Sequence, residues 1–261
     1  MISLKKLLFL ALLLLLVVVA GCRPEQKRVV IDEIPFPGEV NSILVDASNV
    51  GVEVFPVNDK TGVVKLYAEK SSSTLDIFSV EVEEATLMVE AKKGSSFLNP
   101  NNFIVRILLP VKEYTSLKVK EDNGSVQLNN LKVEKVEINN DNGAITMKSI
   151  TAADVSAETK NGELLFVDVS GIIRGRTGNG QIRLSAERLD RWPINLSTGN
   201  GNILVCTARM PANATIDAQS SLGEINIFGS RSSRTGKWTD GDGENLISLW
   251  TGNGSIKVER R

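Results

Sequence analysis

The sequence predicts an all-β fold, a single-stranded parallel β-solenoid with coils of about 20 residues, and three observations carry that expectation. The first is a recurring phrase: Asn123-Gly124, Asn142-Gly143, Asn161-Gly162, Asn179-Gly180, Asn200-Gly201 and Asn253-Gly254, with Leu222-Gly223 as a degenerate copy. The glycines recur every 18 to 22 residues until a last interval of 31. A fixed phrase at a near-fixed period is the signature of a repeat architecture. The second is the pattern around each Gly. Apolar residues stand two and four places after it (Val126/Leu128 to Ile256/Val258) and seven and five places before it (Leu117/Val119 to Ile247/Leu249), with mostly polar residues between. That is strand, corner, strand, each with period two. Small residues five places before the Gly (Ala157, Gly175, Ala218) imply a narrow interior. The third is where length varies. From −7 to +4 every copy has one length, while 7, 7, 6, 9, 10 and 19 residues separate +4 from the next −7. A solenoid must hold its coils in register and can bulge at one corner. We expect a right-handed winding, because coil length varies and no strict hexapeptide rhythm occurs.

The corner chemistry sets the geometry expected at each turn. Gly accepts positive φ freely, and Asn is among the few other residues that visit that region. Asn-Gly is also the favoured two-residue hairpin turn. In such a hairpin, position −3 would share the buried face with the apolar +2. Position −3 is polar in every copy: Glu121, Asn140, Thr159, Thr177, Thr198, Ser220 and Thr251. The pattern therefore favours a wider corner between strands of different sheets, stacked in parallel on successive coils.

From the start of the chain, residues 1–21 read as a lipoprotein signal peptide. Lys5 and Lys6 precede an apolar run from Leu7 to Ala20, and Val19-Ala20-Gly21-Cys22 resembles the bacterial lipobox. The run is shorter than the ~20 residues of a spanning helix. Cys22 is the expected lipidation site, and two or more acyl chains anchor stably where one does not. Residues 22–39, with Pro24, Pro35 and Pro37, read as a tether with one short strand at 28–31. Residues 40–261 read as one domain: irregular N-terminal coils over 40–116, then the Asn-Gly repeats over 117–261. Ile43, Val45, Val52 and Val54 fit the repeat register if Asn49-Val50 replaces Asn-Gly. Strands are expected at Val63–Tyr67, Val80–Val82, Leu87–Val89 and Phe103–Ile107, and Pro110 ends one because it cannot donate to a central ladder. The charged ending Lys257, Glu259, Arg260, Arg261 fits an exposed terminal coil protected from edge pairing.

Composition narrows the function classes. The 30 basic and 31 acidic residues balance, so nucleic acid is not an expected partner. There is no His and only two Cys, one of them assigned to lipid, so neither a disulfide framework nor a His-based catalytic pair is expected. Cys206 reads as a small, half-buried residue. No metal site, cofactor or catalytic residue is expected. Asp122 and Asp141 occupy one position on neighbouring coils. Paired carboxylates cleave glycans, but Asp also favours the place before Asn-Gly, and Lys160 follows in the next coil. The Phe228–Leu246 insertion, with Arg231, Arg234, Lys237 and Trp238, is the expected ligand loop, since indole and cations together suit glycans or phosphates. Trp192 and Trp250 are single aromatics, Trp250 facing outward.

On Val45 to Val54, Val105 to Pro110, Asp122-Asn123-Gly124 and Thr251 to Ile256, residues 40–261 resemble the bacterial putative-adhesin family, a domain of unknown function found in envelope proteins and lipoproteins. Val50 and Leu222 depart from its usual Asp, Asn or Gly. The resemblance implies a cell-surface β-solenoid, in some members tied to envelope-stress systems, and brings no catalytic residues. The function expected is therefore a non-enzymatic, lipid-anchored surface binding, adhesion or scaffold module, extracytoplasmic, with wall glycan or another envelope protein as partner. The other readings are an envelope-stress accessory protein with a membrane partner and, last, a β-helix polysaccharide lyase or hydrolase.

Overall fold

The computed structural model describes residues 28–69, 74–94 and 103–261. Among them every regular element is a strand. In chain order these are β1 (Val29–Phe36), β2 (Ser42–Ser48), β3 (Gly51–Val57), β4 (Gly62–Ala68), β5 (Ile77–Glu83), β6 (Thr86–Lys92), β7 (Phe103–Pro110), β8 (Glu113–Glu121) and β9 (Val126–Asn142). There follow β10 (Ile145–Asn161), β11 (Leu164–Asn179), β12 (Ile182–Ala186), β13 (Ile194–Asn200), β14 (Ile203–Thr207), β15 (Ala214–Ile227), β16 (Ser230–Asp240), β17 (Asn245–Asn253) and β18 (Ile256–Arg260). The predicted strands of the N-terminal part are all present. Of the expected tether, Cys22 and the residues up to 27 lie outside the described residues. β1 extends past the expected 28–31 and pairs antiparallel with β4, so the fold begins before residue 40.

The repeats stack in parallel and in register, a solenoid-like arrangement. One buried ladder carries position −7: Ile43, Leu117, Val136, Val155, Ile173, Ile194, Ile247 and Ile216 in spatial order. A second carries position +2: Val52, Val126, Ile145, Leu164, Ile182, Ile203, Ile256 and Ile225. A slip of one residue would turn each apolar set outward, so burial holds the register. Opposite charges on adjacent rungs support it from outside. Lys160 pairs with Asp141 at 2.7 Å, Lys118 with Glu137 at 3.1 Å, and Arg174 with Asp154.

The ends depart from sequential stacking. The first coil, β2–β3, lies between β6–β7 on one side and β8–β9 on the other. β5 and β4 then cover β6 and β7 as antiparallel strands. The C-terminal end repeats the device: β17–β18 lies between β13–β14 and β15, and antiparallel β16 covers β15. The last coil is therefore an inner rung, not the exposed terminal coil expected from its charged residues. The outermost position falls to Leu222-Gly223, and the Phe228–Leu246 insertion is mostly the strand β16 rather than a loop. Its length is what lets the chain cap the stack and still return one rung inward.

The corners meet the expectation in part: Gly143, Gly201, Gly223 and Gly254 lie at positive φ (151–159°), whereas Gly124, Gly162 and Gly180 do not, and of the corner asparagines only Asn49 does (φ 60°). Close approach demands Gly at all of these corners. A Cβ on Gly162 would stand 2.0 Å from the Gly143 carbonyl oxygen, and on Gly180 1.9 Å from that of Gly162. Asn serves a ladder instead. Each Asn Nδ2 donates to the Oδ1 one rung before: Asn123 to Asn49 (3.1 Å), Asn142 to Asn123 (2.8 Å), Asn161 to Asn142 (2.7 Å), Asn179 to Asn161 (2.8 Å), Asn200 to Asn179 (2.7 Å) and Asn253 to Asn200 (2.6 Å). Asn49 ends it by donating to the Lys93 carbonyl at 2.6 Å. The polar −3 residues form an inner ladder, each donating to the Gly carbonyl of the neighbouring rung: Asn140 to Gly124 (2.7 Å), Thr159 to Gly143 (3.2 Å), Thr177 to Gly162 (2.9 Å), Thr198 to Gly180 (2.9 Å), Thr251 to Gly201 (2.8 Å) and Ser220 to Gly254 (2.8 Å). That is how buried hydroxyls and an amide sit beside apolar neighbours at no net loss.

Glu121 is the exception in that inner ladder. It is 1% exposed, and the Val50 N–H donates to its Oε1 at 3.4 Å, while Oε2 has no hydrogen-bond partner among the described residues. Burial pushes its carboxyl up to about 7.

Candidate functional site

The corner opposite Asn-Gly turns differently. In three successive coils it passes through a non-glycine residue in the left-handed region six places after the Gly: Asn130 (φ 53°), Ser149 (φ 54°) and Asp168 (φ 52°). Asn and Asp tolerate that conformation because their short polar side chains bond locally. After Asp168 the coils lengthen. The segment 187–193 between β12 and β13, and then 208–213 between β14 and β15, overhang the shorter rung before them.

That step makes a cleft of about 340 Å3, lined by Asp168, Val169, Ser170, Ala186, Glu187, Arg188, Arg191, Trp192 and Arg209. Its overhanging wall is fixed from several sides. Leu189 is buried in the core. Arg188 holds the Asp190 carboxylate through two bonds of 2.9 Å, and the Ala212 N–H donates to the same carboxylate at 3.1 Å. These bonds, Arg188 first, hold the Asp190 carboxyl down at about 2. Asn245 Nδ2 donates to the carbonyls of Leu189 (2.8 Å) and Trp192 (3.0 Å), which ties the wall to β17. Arg209 pairs with Glu187 at 2.8 Å. Arg191 and Asp168 have no ion pair or hydrogen-bond partner among the described residues, and Trp192 is 44% exposed.

The expected ligand loop has another structural setting. Trp238 packs edge-on against Phe228, ring centroids 5.2 Å apart, and Arg231 pairs with Glu224 at 3.3 Å. Arg234 and Lys237 are exposed on β16, which pairs only with β15 among the described strands, a place where charge opposes edge-to-edge pairing. The three tryptophans occupy separate settings: Trp192 in the cleft, Trp238 on Phe228, Trp250 on the outer face of β17 at 43% exposure. Of the Asp pair, Asp141 is held by Lys160. Cys206 is fully buried, and burial pushes its thiol up. Among the described residues no group of three or more His, Cys, Asp or Glu side chains is placed to hold a metal ion, and no helix is long and apolar enough to cross a membrane.

Asp168, Arg188, Arg191 and Arg209 were not singled out from sequence. The signal was the rise from 6 to 9 and 10 residues between β-segments, overshadowed by the 19-residue interval that became β16.

No curated protein matches the chain. Three solved structures are similar over most of it. A putative cell adhesion protein from Clostridium sporogenes is 15% identical, with 92% of this chain and 100% of that one covered and a TM-score of 0.38. A putative adhesin from Bacteroides fragilis is 16% identical (91% and 100% covered, TM-score 0.47), and one from Parabacteroides merdae is 15% identical (90% and 95%, TM-score 0.32). At such identities and TM-scores these likenesses say nothing of what this chain binds. The family is carried by the match of residues 39–171 to the Toastrack DUF4097 model, over the first coil, the N-terminal cap and the first Asn-Gly repeats. Together with the in-register stack, that match places the chain in the Toastrack DUF4097 family.

Proposed function

We propose that this chain is a lipid-anchored, extracytoplasmic binding module without enzymatic activity, which presents the side of a stiff β-stack to a wall polymer or another envelope protein. The observation that supports this reading is the division of labour between the two corners. One corner is spent on register, with Asn and Gly at fixed spacing. The other varies in length and builds a cleft whose wall is fixed but whose indole and one guanidinium are left to solvent. Large apolar rings left exposed on a held backbone are what a binding surface needs.

The anchor follows from the lipobox-like Val19-Ala20-Gly21-Cys22. β1 starts at Val29, so at ~3.4 Å per extended residue the stack would stand within about 24 Å of the bilayer. The test has two arms. Cys22→Ala should move the chain from the membrane to the soluble fraction, and unchanged partitioning would remove the anchor. The full chain in detergent, used as bait on envelope extract, should retain a component that Trp192→Ala bait does not. Retention of nothing by either bait would remove the binding role, and release of reducing or unsaturated sugar ends from wall polymer would replace it with an enzyme.

A further inference from the structure

We infer that the cleft between the second corners of the third, fourth and fifth Asn-Gly repeats binds a neutral pyranose unit of an envelope glycan, with Trp192 as the stacking platform and Asp168 and Arg191 as its hydrogen-bonding pair. The inference rests on the binding-module reading and adds the place and the ligand class.

Pre-organisation is the first ground. The wall is fixed by Leu189 in the core, by the Arg188–Asp190 fork, by the Ala212 N–H on Asp190 and by Asn245 on two carbonyls. So many restraints on a short surface segment hold the backbone that carries Arg191 and Trp192 in place before a ligand arrives, which lowers the ordering cost of binding. Charge is the second ground. Arg188 is compensated by Asp190 and Arg209 by Glu187, which among the described residues leaves Arg191 as the free cation of the cleft and Asp168 as its free carboxylate. The sum is zero, so polyanions such as nucleic acid or polyphosphate find no net attraction. A sugar ring matches what remains. Its C–H face covers an indole, its hydroxyls donate to a carboxylate, and its ring and hydroxyl oxygens accept from a guanidinium. The volume of about 340 Å3 is near the lower end of the ~300–1,000 Å3 of small-ligand sites, room for a short stretch of glycan.

The test titrates the full chain in detergent with chitotetraose, cellotetraose and tetragalacturonate, following tryptophan fluorescence and calorimetry. A neutral oligosaccharide should bind. Trp192→Ala should weaken it about ten-fold or more, and Asp168→Asn and Arg191→Gln each about three- to ten-fold. Asn keeps the left-handed backbone tolerable at 168, and thermal melts of all variants should match the parent. Trp250→Ala, which removes an equally exposed indole elsewhere, should leave affinity unchanged. Preference for tetragalacturonate that vanishes with salt would overturn the neutral class. Binding that survives Trp192→Ala would overturn the site and leave the binding-module reading standing. Binding of none of the three sugars, while envelope extract still yields a retained component, would overturn the ligand class alone. If the extract also yields nothing, both readings fall.

Discussion

At the Asn-Gly corner every coil has one length from −7 to +4, while at the opposite corner the linking segment runs from 6 to 19 residues. The first corner is crossed by two hydrogen-bonded ladders, the Asn amides outside and the −3 donors inside. Each turn there brings a Gly against the carbonyl of the rung before it. The second corner has no such ladder among its described bonds and turns instead through left-handed Asn130, Ser149 and Asp168. The difference teaches where a stacked fold can vary. A corner that bonds to its neighbours on both sides at every rung cannot lengthen without breaking two ladders, whereas a corner joined to its neighbours only by scattered bonds, such as Ala212 to Asp190 and Asn245 to Leu189, can carry the cleft.

Substitutions should separate the two corners. The largest effect is expected for Gly162→Val, whose Cβ would meet the Gly143 carbonyl oxygen at 2.0 Å. We expect about 3 kcal/mol of destabilisation in denaturant titration, since backbone on both sides leaves nowhere to give. Ser149→Gly at the opposite corner should shift stability by no more than about 0.5–1 kcal/mol, because relief of the positive φ offsets the entropy of Gly. A mild Gly162→Val would erase the contrast.

Next comes Glu121, where the inner ladder has an acid in place of a donor. Its folded value near 7 lies above its unfolded value of 4.5, so the folded state holds the proton more tightly. The contribution is whole below pH 4.5, declines as pH rises through 7, and is lost above it. Glu121→Gln supplies an amide like that of Asn140. It should raise stability by about 1–3 kcal/mol at pH 8 relative to its effect at pH 4, and flatten the profile. Parallel profiles for the two proteins would mean that Glu121 is charged in the fold.

Smaller effects belong to the surface. Asn161→Ala removes one amide bond given and one received, about 1 kcal/mol, and Asn253→Ala, at the end of the ladder, about half that. Equal losses would mean that the bond Asn161 receives from Asn179 adds nothing to stability. Lys160→Ala should cost only ~0.3 kcal/mol and nothing in high salt, because both partners of its pair with Asp141 are exposed.

The core was legible in the sequence because burial repeats with the strand period: Ile145, Leu164, Ile182 and Ile203 announce their ladder by spacing alone. The inner ladder was half legible. Polar −3 residues on a buried face argued against hairpins, but their carbonyl partners lie on another rung and leave no local trace. The order of rungs was not legible at the ends. Position within a repeat fixes a residue's place around the coil, not its height along the stack, so the insertion of Ile247 between Ile194 and Ile216 has no signature in spacing. One hint was present: the coil with Leu222 in place of Asn is the one that ends the ladder, at 69% exposure. The cleft stayed hidden for a related reason. Asp168, Arg191 and Arg209 are apart in sequence and meet only because coils of unequal length lie on one another.

Rung order is tested most directly by paired cysteines at the exposed −1 position, with Cys22 and Cys206 replaced by Ser and Ala. Adjacent rungs lie ~4.8 Å apart, within the ~4.4–6.8 Å Cα separation that a disulfide spans, and alternate rungs at ~9.6 Å do not. Asn200→Cys with Asn253→Cys should therefore oxidise to an intramolecular bond, and Asn200→Cys with Leu222→Cys should remain dithiol. The reverse pattern, with 200 bonded to 222 and 253 left free, would contradict the inserted final coil.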